Sequence, residues 1–183
     1  MRHLSTLLAS FVLAGCAVYP ASRTFYEPNA ADGKLENRTS CGYTNTRDSI
    51  RRTVEGVEIW LSPSDEKLSA PYPTSLQTNI SFTYRISGVQ VDFSKIVLRT
   101  EPEGVVIGGQ VLSTYERPTL RIDGEFQRQT GQLLFPAPAG VPEQITIIFK
   151  PGALTVDGRV IPISPFRFSR VTRSDIYYGS INC

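Results

Sequence analysis

The chain has 183 residues, with 19 Lys+Arg against 17 Asp+Glu and a formal net charge of +2. That near-balance excludes a strong nonspecific hold on nucleic acid, which works by neutralising many phosphates. Hydrophobic residues make up 40% of the chain and aromatics 10%, which suits one folded domain with a real core.

The chain opens MRHLSTLLASFVLAGC. Arg2 and His3 form a short basic region, the apolar stretch Leu4 to Leu13 follows, and small residues lead into Cys16, which is the layout of a secretory signal peptide. A membrane span needs roughly 20 apolar residues, so this stretch is too short to be one. Leu13-Ala14-Gly15-Cys16 resembles the lipobox of bacterial lipoproteins. The resemblance implies that residues 1–15 are removed and that Cys16 is acylated, with the lipid bilayer as its partner. Ala17 lacks the aspartate that commonly retains such proteins at the inner membrane, which points to the outer membrane, facing the periplasm.

With Cys16 consumed by lipid, Cys41 and Cys183 remain, and two thiols in an oxidising compartment are expected to pair as a disulfide. In the chain-entropy model such a closure contributes ~4 to 5 kcal/mol. The rival reading is a reactive or intermolecular thiol at Cys183. Residues 16–40 contain prolines and no sustained apolar period, and they read as a lipidated N-terminus and flexible tether. Thr24, Phe25 and Tyr26 could instead pack as an extra edge strand.

From residue 41 to 183 the dominant pattern is a period of two, the signature of strands with one buried face. In NISFTYRIS, Ile80, Phe82, Tyr84 and Ile86 fall on one side; in TLRIDGEF, Leu120, Ile122 and Phe126 alternate with Arg121, Asp123 and Glu125. GVEIWLS, SKIVLRT, GVVIGGQVLSTY, QLLF, QITIIFK, GRVIPIS and PFRFSRV add further strands, and Gly108-Gly109 marks a bulge. NTRDSIRRTVEG is the one place for a turn or two of helix, with Asn45 as its cap. RQTGQ is expected to join strands at 118–128 and 132–135, Asp157-Gly158 to make a tight hairpin, and PAPAGVP to be a loop. The fold class is all-β: an antiparallel β-sandwich of about seven to nine strands, with an immunoglobulin-like arrangement as one form of it and a closed barrel as the alternative.

Candidate chemistry is sparse. The only histidine, His3, lies in the removed segment, which takes away Ser-His and Cys-His couples and imidazole metal sites. No catalytic residue, metal site or cofactor is assigned. The pairs Glu101/Glu103 and Asp123/Glu125 are the carboxylates that a glycosidase-type site would draw on. Asp32, Asp65 and Glu66 offer hard oxygens to calcium without a supporting spacing. Arg159, Arg167, Arg170 and Arg173 form a basic run suited to phosphate or carboxylate. Tyr72, Tyr177, Tyr178 and Trp60 could stack on sugar rings or complete the core. The weak ligand-binding set is therefore Arg167, Arg170, Arg173, Tyr177 and Tyr178. The expected function is a noncatalytic binding or structural module of the envelope that docks a protein partner by a strand edge or loop. A glycan-binding protein or carboxylate-dependent hydrolase is the alternative.

Overall fold

The structure is a computed structural model that describes residues 16–37, 42–43, 46–64, 75–121, 124–137 and 140–180. Residues 1–15, Cys41, Asn45, Asp65, Glu66, Tyr72, Asp123 and Cys183 lie outside the described residues. The expectations for the signal segment and the Cys41–Cys183 disulfide therefore lie there too. The described elements are strands joined by turns and two short 3-10 segments, Ala30–Asp32 and Phe93–Lys95.

In chain order the strands are β1 (Cys16–Pro28), β2 (Lys34–Glu36), β3 (Gly42–Tyr43), β4 (Ser49–Val54) and β5 (Val57–Ser64). Next come β6 (Ser75–Tyr84), β7 (Val89–Val91), β8 (Ile96–Glu101), β9 (Val106–Gly108) and β10 (Gln110–Arg121). The last five are β11 (Gly124–Pro136), β12 (Gln144–Phe149), β13 (Leu154–Val156), β14 (Arg159–Val160) and β15 (Phe166–Ser180). The number exceeds that read from the sequence because several strands have only two or three residues, too few to show a period.

The chain divides into two compact units, one drawn from Met1–Thr24, Thr39–Thr46 and Thr172–Cys183, the other from Phe25–Arg38 and Arg47–Val171. In the smaller unit β3 pairs with β15, Tyr177 opposite Tyr43. There the buried Thr46 hydroxyl donates to Asp175 Oδ2 at 2.9 Å.

The larger unit is an all-β sandwich. Sheet I has the order β10-β11-β6-β5-β4-β2, sheet II runs β1-β15-β12-β8-β9, and a small sheet III is β14-β13-β7. Ile59, Leu61, Ile80 and Phe82 of sheet I share one core with Leu98, Ile145, Ile147 and Phe166 of sheet II. An edge-on aromatic contact joins the layers, Phe82 to Phe149 at 6.2 Å between ring centres, and Phe149 meets Phe166 within sheet II at 5.8 Å. Three strands consecutive in the chain, β4, β5 and β6, lie side by side in sheet I. This run of neighbours is a β-meander.

In β6 Ile80, Phe82 and Tyr84 point into the core as read, but the other side of the strand is covered as well: Ser81 and Thr83 are buried and Asn79 is half-buried. The strand stops at Tyr84, however, and Ile86 is exposed in the following bend. Asp157-Gly158 is the expected hairpin turn, with φ of 50° and 74° and Val156 paired with Arg159.

Four readings are corrected. NTRDSIRRTVEG holds no helical turn among its described residues: Ile50 is fully buried on β4, which turns into β5 through Glu55 and Gly56, both at positive φ. RQTGQ is the middle of β11, not a turn; the reversal falls between Arg121 and Gly124, which pair with each other. Gly131 serves another purpose there, since a Cβ on it would meet Phe93 ring atoms at 2.4 Å. Gly108-Gly109 is not a bulge within one strand but the point where the chain leaves β9 in sheet II for β10 in sheet I. The register shift lies further on, between Val111 and Ser113. Finally, the stretch read as a tether carries β1 and β2, and Phe25 and Tyr26 are core residues, so the extra-strand alternative describes it better. Burial of those two rings, with the Tyr26 hydroxyl donating to the Pro142 carbonyl at 2.6 Å, favours order over a free coil.

Candidate functional site

Sheet I presents its outer face and one free edge to solvent, and both are built by strand register. Across the sheet, one outward row reads Lys34, Arg51, Trp60, Ser81, Thr130 and Tyr115, each opposite the next on the neighbouring strand. The adjacent row reads Thr53, Glu58, Thr83, Arg128 and Arg117. In the first row the small residues Ser81 and Thr130 stand between the two large rings of Trp60 and Tyr115. Small side chains between tall ones leave a hollow. Its volume is about 360 Å³, lined by Arg51, Trp60, Asn79, Ser81, Tyr115, Arg128 and Thr130. Across its floor the Ser81 and Thr130 hydroxyls hydrogen-bond to each other at 3.0 Å.

Charge on this face is distributed unevenly. Lys34 lies 3.8 Å from Glu36, Glu36 takes Arg51 at 2.7 Å, and Glu58 takes Arg51 at 3.0 Å and Arg121 at 2.6 Å, a chain of two acids and three bases. Burial opposes ionisation of Glu58, but the hydrogen bonds and charges of Arg121 and Arg51 outweigh it and hold the carboxyl below its ordinary range. Arg117 and Arg128 stand outside that chain. They face each other directly across β10 and β11, and neither makes an ion pair among the described residues. Burial, and after it the charges of Arg121 and Arg117, lower the affinity of the Arg128 guanidinium for its proton.

The free edge is β10. It is exposed along almost its whole length, with Val111, Leu112, Tyr115 and Leu120 presenting apolar surface; Leu120 is 83% exposed. Pro118 sits in this strand opposite Gln127. Proline has no N–H to give to a ladder, and in a paired strand it fits where the nitrogen faces the open side. Residues 114 and 116 share its parity in an uninterrupted register, so their N–H groups face outward as well. Arg117, Pro118 and Arg121 blunt one end of the edge, whereas Gln110–Tyr115 carries no charge.

A third surface is a mostly apolar cleft of about 720 Å³ between the β8–β9 turn and the loop from β11 to β12. It is lined by Val105, Val106, Ile107, Val141 and Pro142, with Glu101, Glu103 and Glu143 around it. Glu101 is held by Arg99 at 2.6 Å and Glu143 lies 3.6 Å from Arg170. Glu125 lies instead opposite Leu120 near the β10–β11 reversal.

The residues named from the basic run do not form one site. Arg167 is bound at both ends of the Asp32 carboxylate, at 2.5 and 3.0 Å, and its backbone N–H donates there at 2.8 Å. The Arg167 hydrogen bond is the main reason the Asp32 carboxyl lies below its ordinary range. This clamp occupies the carboxylate that the calcium reading used; among the described residues no cluster of acids, His and Cys is arranged to hold a metal. Arg159 lies 3.8 Å from Glu55. Arg173 and Tyr177 belong to the smaller unit, where Tyr177 meets Tyr19 with ring centres 5.1 Å apart. Tyr178 enters as a backbone pair with Gly42. The residues that converge, Arg128 and Tyr115 above all, were not singled out in the sequence; Trp60 was, as a ring to stack or to complete the core.

No family model, curated protein or solved structure matches this chain.

Proposed function

We propose that the protein is a noncatalytic binding module of the cell envelope, attached to the outer membrane through acylated Cys16, facing the periplasm and docking a protein partner by strand addition. The observation that carries this is the β10 edge. Its run Val111–Tyr115 is uncharged and exposed on the outermost strand of sheet I. Natural sheets normally protect such an edge, and an added strand gains affinity from main-chain bonds and specificity from alternate side chains. Val111 and Leu112 supply apolar surface to such a strand. The anchor rests on the lipobox-like residues Leu13 to Cys16.

A photo-crosslinker at Leu112, activated in the intact envelope, should capture one defined protein. Thr114→Pro should abolish that capture while leaving the fold intact, because the lost N–H faces the open edge. Unchanged capture by Thr114→Pro would refute strand addition. Cys16→Ser should release or stall the chain, and normal cleavage with unchanged membrane retention would refute the anchor.

A further inference from the structure

The hollow on sheet I has properties that edge docking does not use. Among the described residues, four side chains around it have no partner for their polar groups: the Trp60 indole N–H, the Asn79 amide, the Tyr115 hydroxyl and the terminal nitrogens of Arg128. The single bond that Arg128 makes, from Nε to Thr83 Oγ1, is long at 3.3 Å. Partly exposed groups of this kind are satisfied by water, which a ligand can displace.

The electrostatics favour an anion. Like charges directly opposite on antiparallel strands are destabilising, and Arg117 and Arg128 occupy that arrangement without a carboxylate to bridge them. The other two arginines of the face are already neutralised by Glu36 and Glu58. The guanidinium of Arg117 lies 5.6 Å from the centre of the Tyr115 ring, which holds it beside the hollow. An arginine fork reads a planar carboxylate through two parallel hydrogen bonds.

The shape favours a ring compound. Trp60 and Tyr115 stand three strands apart, about 14 Å at the usual strand spacing, with a hydroxyl floor between them. Aromatic walls contact the apolar faces of a sugar while hydroxyl and amide groups meet its rim. The volume of 360 Å³ falls at the small end of ligand sites. From the unbridged arginine pair and the ring-walled hollow together, we infer that the outer face of sheet I binds a carboxylate-bearing saccharide, with Arg128 and Arg117 on the carboxylate and Trp60 and Tyr115 against the sugar.

Trp60 is the only tryptophan, so its emission reports on this hollow alone. The full chain would be titrated with trigalacturonate, with the neutral maltotriose, and with sodium acetate and inorganic phosphate at matched ionic strength, following Trp60 emission and heat of binding in parallel. The expected result is saturable binding of trigalacturonate that weakens with salt and is absent with the other three. Arg128→Gln should weaken it about tenfold or more, the scale of a lost hydrogen bond to a charged group. Arg117→Gln, at an exposed position, provides a second variant that tests the carboxylate without touching the sheet interior. Thr114→Pro should leave saccharide binding unchanged. The inference is overturned if maltotriose binds as well as trigalacturonate, if acetate or phosphate gives the same response at the same concentration, if both arginine variants bind like the parent, or if neither signal saturates.

Discussion

Replacing Gly131 by alanine tests the packing that fixes the two sheets. Gly131 is buried on β11, and its missing Cβ is the space into which the Phe93 ring is set: the added atom would lie 2.4 Å from Cδ1 and Cε1 and 2.9 Å from Cγ. Ordinary carbon contacts are ~3.5 to 4.0 Å, so the ring would have to retreat by about 1 Å. It has little room, because its edge already meets Phe82 with ring centres 5.7 Å apart and only 8% of Phe93 is exposed. Overpacking of this kind costs ~1 to 3 kcal/mol, partly offset by the ~0.5 to 1 kcal/mol that alanine gains over glycine inside a strand. A net loss of about 1 to 2 kcal/mol should lower Tm by about 2 to 8 °C at this chain length. Urea unfolding of the parent, Gly131→Ala, Phe93→Leu and the double variant supplies the cycle. In the Phe93→Leu background the alanine should cost at least about 0.5 kcal/mol less, the size expected for residues in contact. Equal costs in both backgrounds, or a Gly131→Ala protein as stable as the parent, would show that the ring does not depend on the absent Cβ.

Three further outcomes follow from the same structure and sequence. Asp32 has a depressed carboxyl pKa in the folded protein, so its stabilising share is present above the unfolded value of about 3.9 and is lost as pH falls through the lower folded value; Asp32→Asn should flatten the fall in Tm below about pH 4, and an unchanged acid limb would count against the clamp. Arg117→Gln should stabilise the unliganded protein by a few tenths of a kcal/mol by relieving the cross-strand repulsion with Arg128, measured by urea unfolding at low salt; a loss of stability would contradict the unbridged pair. Non-reducing peptide mapping should recover Cys41 and Cys183 in one peptide pair, and Cys183→Ser should cost a few kcal/mol that Cys41→Ser reproduces; full labelling of Cys183 in unreduced protein would remove the bridge.

How far the sequence carried depends on what each residue answers to. The alternation of β6 and the Asp157-Gly158 turn were legible because both are local: a period of two and a pair of positive φ angles are visible within a few residues. Gly131 was misread as a turn glycine because its reason is the ring of Phe93, which arrives from another part of the chain. That single error hid the site. With a turn at RQTGQ, Arg128 ends a strand that begins just after Arg117, far from it; with the reversal between Arg121 and Gly124 the two face each other across β10 and β11. Trp60 was a candidate from residue type, with stacking and core packing both open, and Tyr115 and Thr130 join it only through the register of β10, β11 and β6. The Asp32 to Arg167 clamp likewise had no sequence signal, since neither spacing nor composition links a 3-10 segment near the start to a strand near residue 167.

The position of β15 bears on when the fold can be completed. All six strands of sheet I are contained within residues 34–136, so that layer is complete in a growing chain well before sheet II. Sheet II lacks an interior strand until Phe166 and Phe168 have been made, since β15 lies between β1 and β12 and buries both rings. A chain shorter than this can cover the apolar face of sheet I, with Ile59, Leu61, Ile80 and Phe82, only by β8, β9 and β12, without the Phe166 and Phe168 rings. Such half-built species associate with one another, and pairing partners this distant in sequence is slow. Full burial of the shared core therefore waits on the last-made strand, β15.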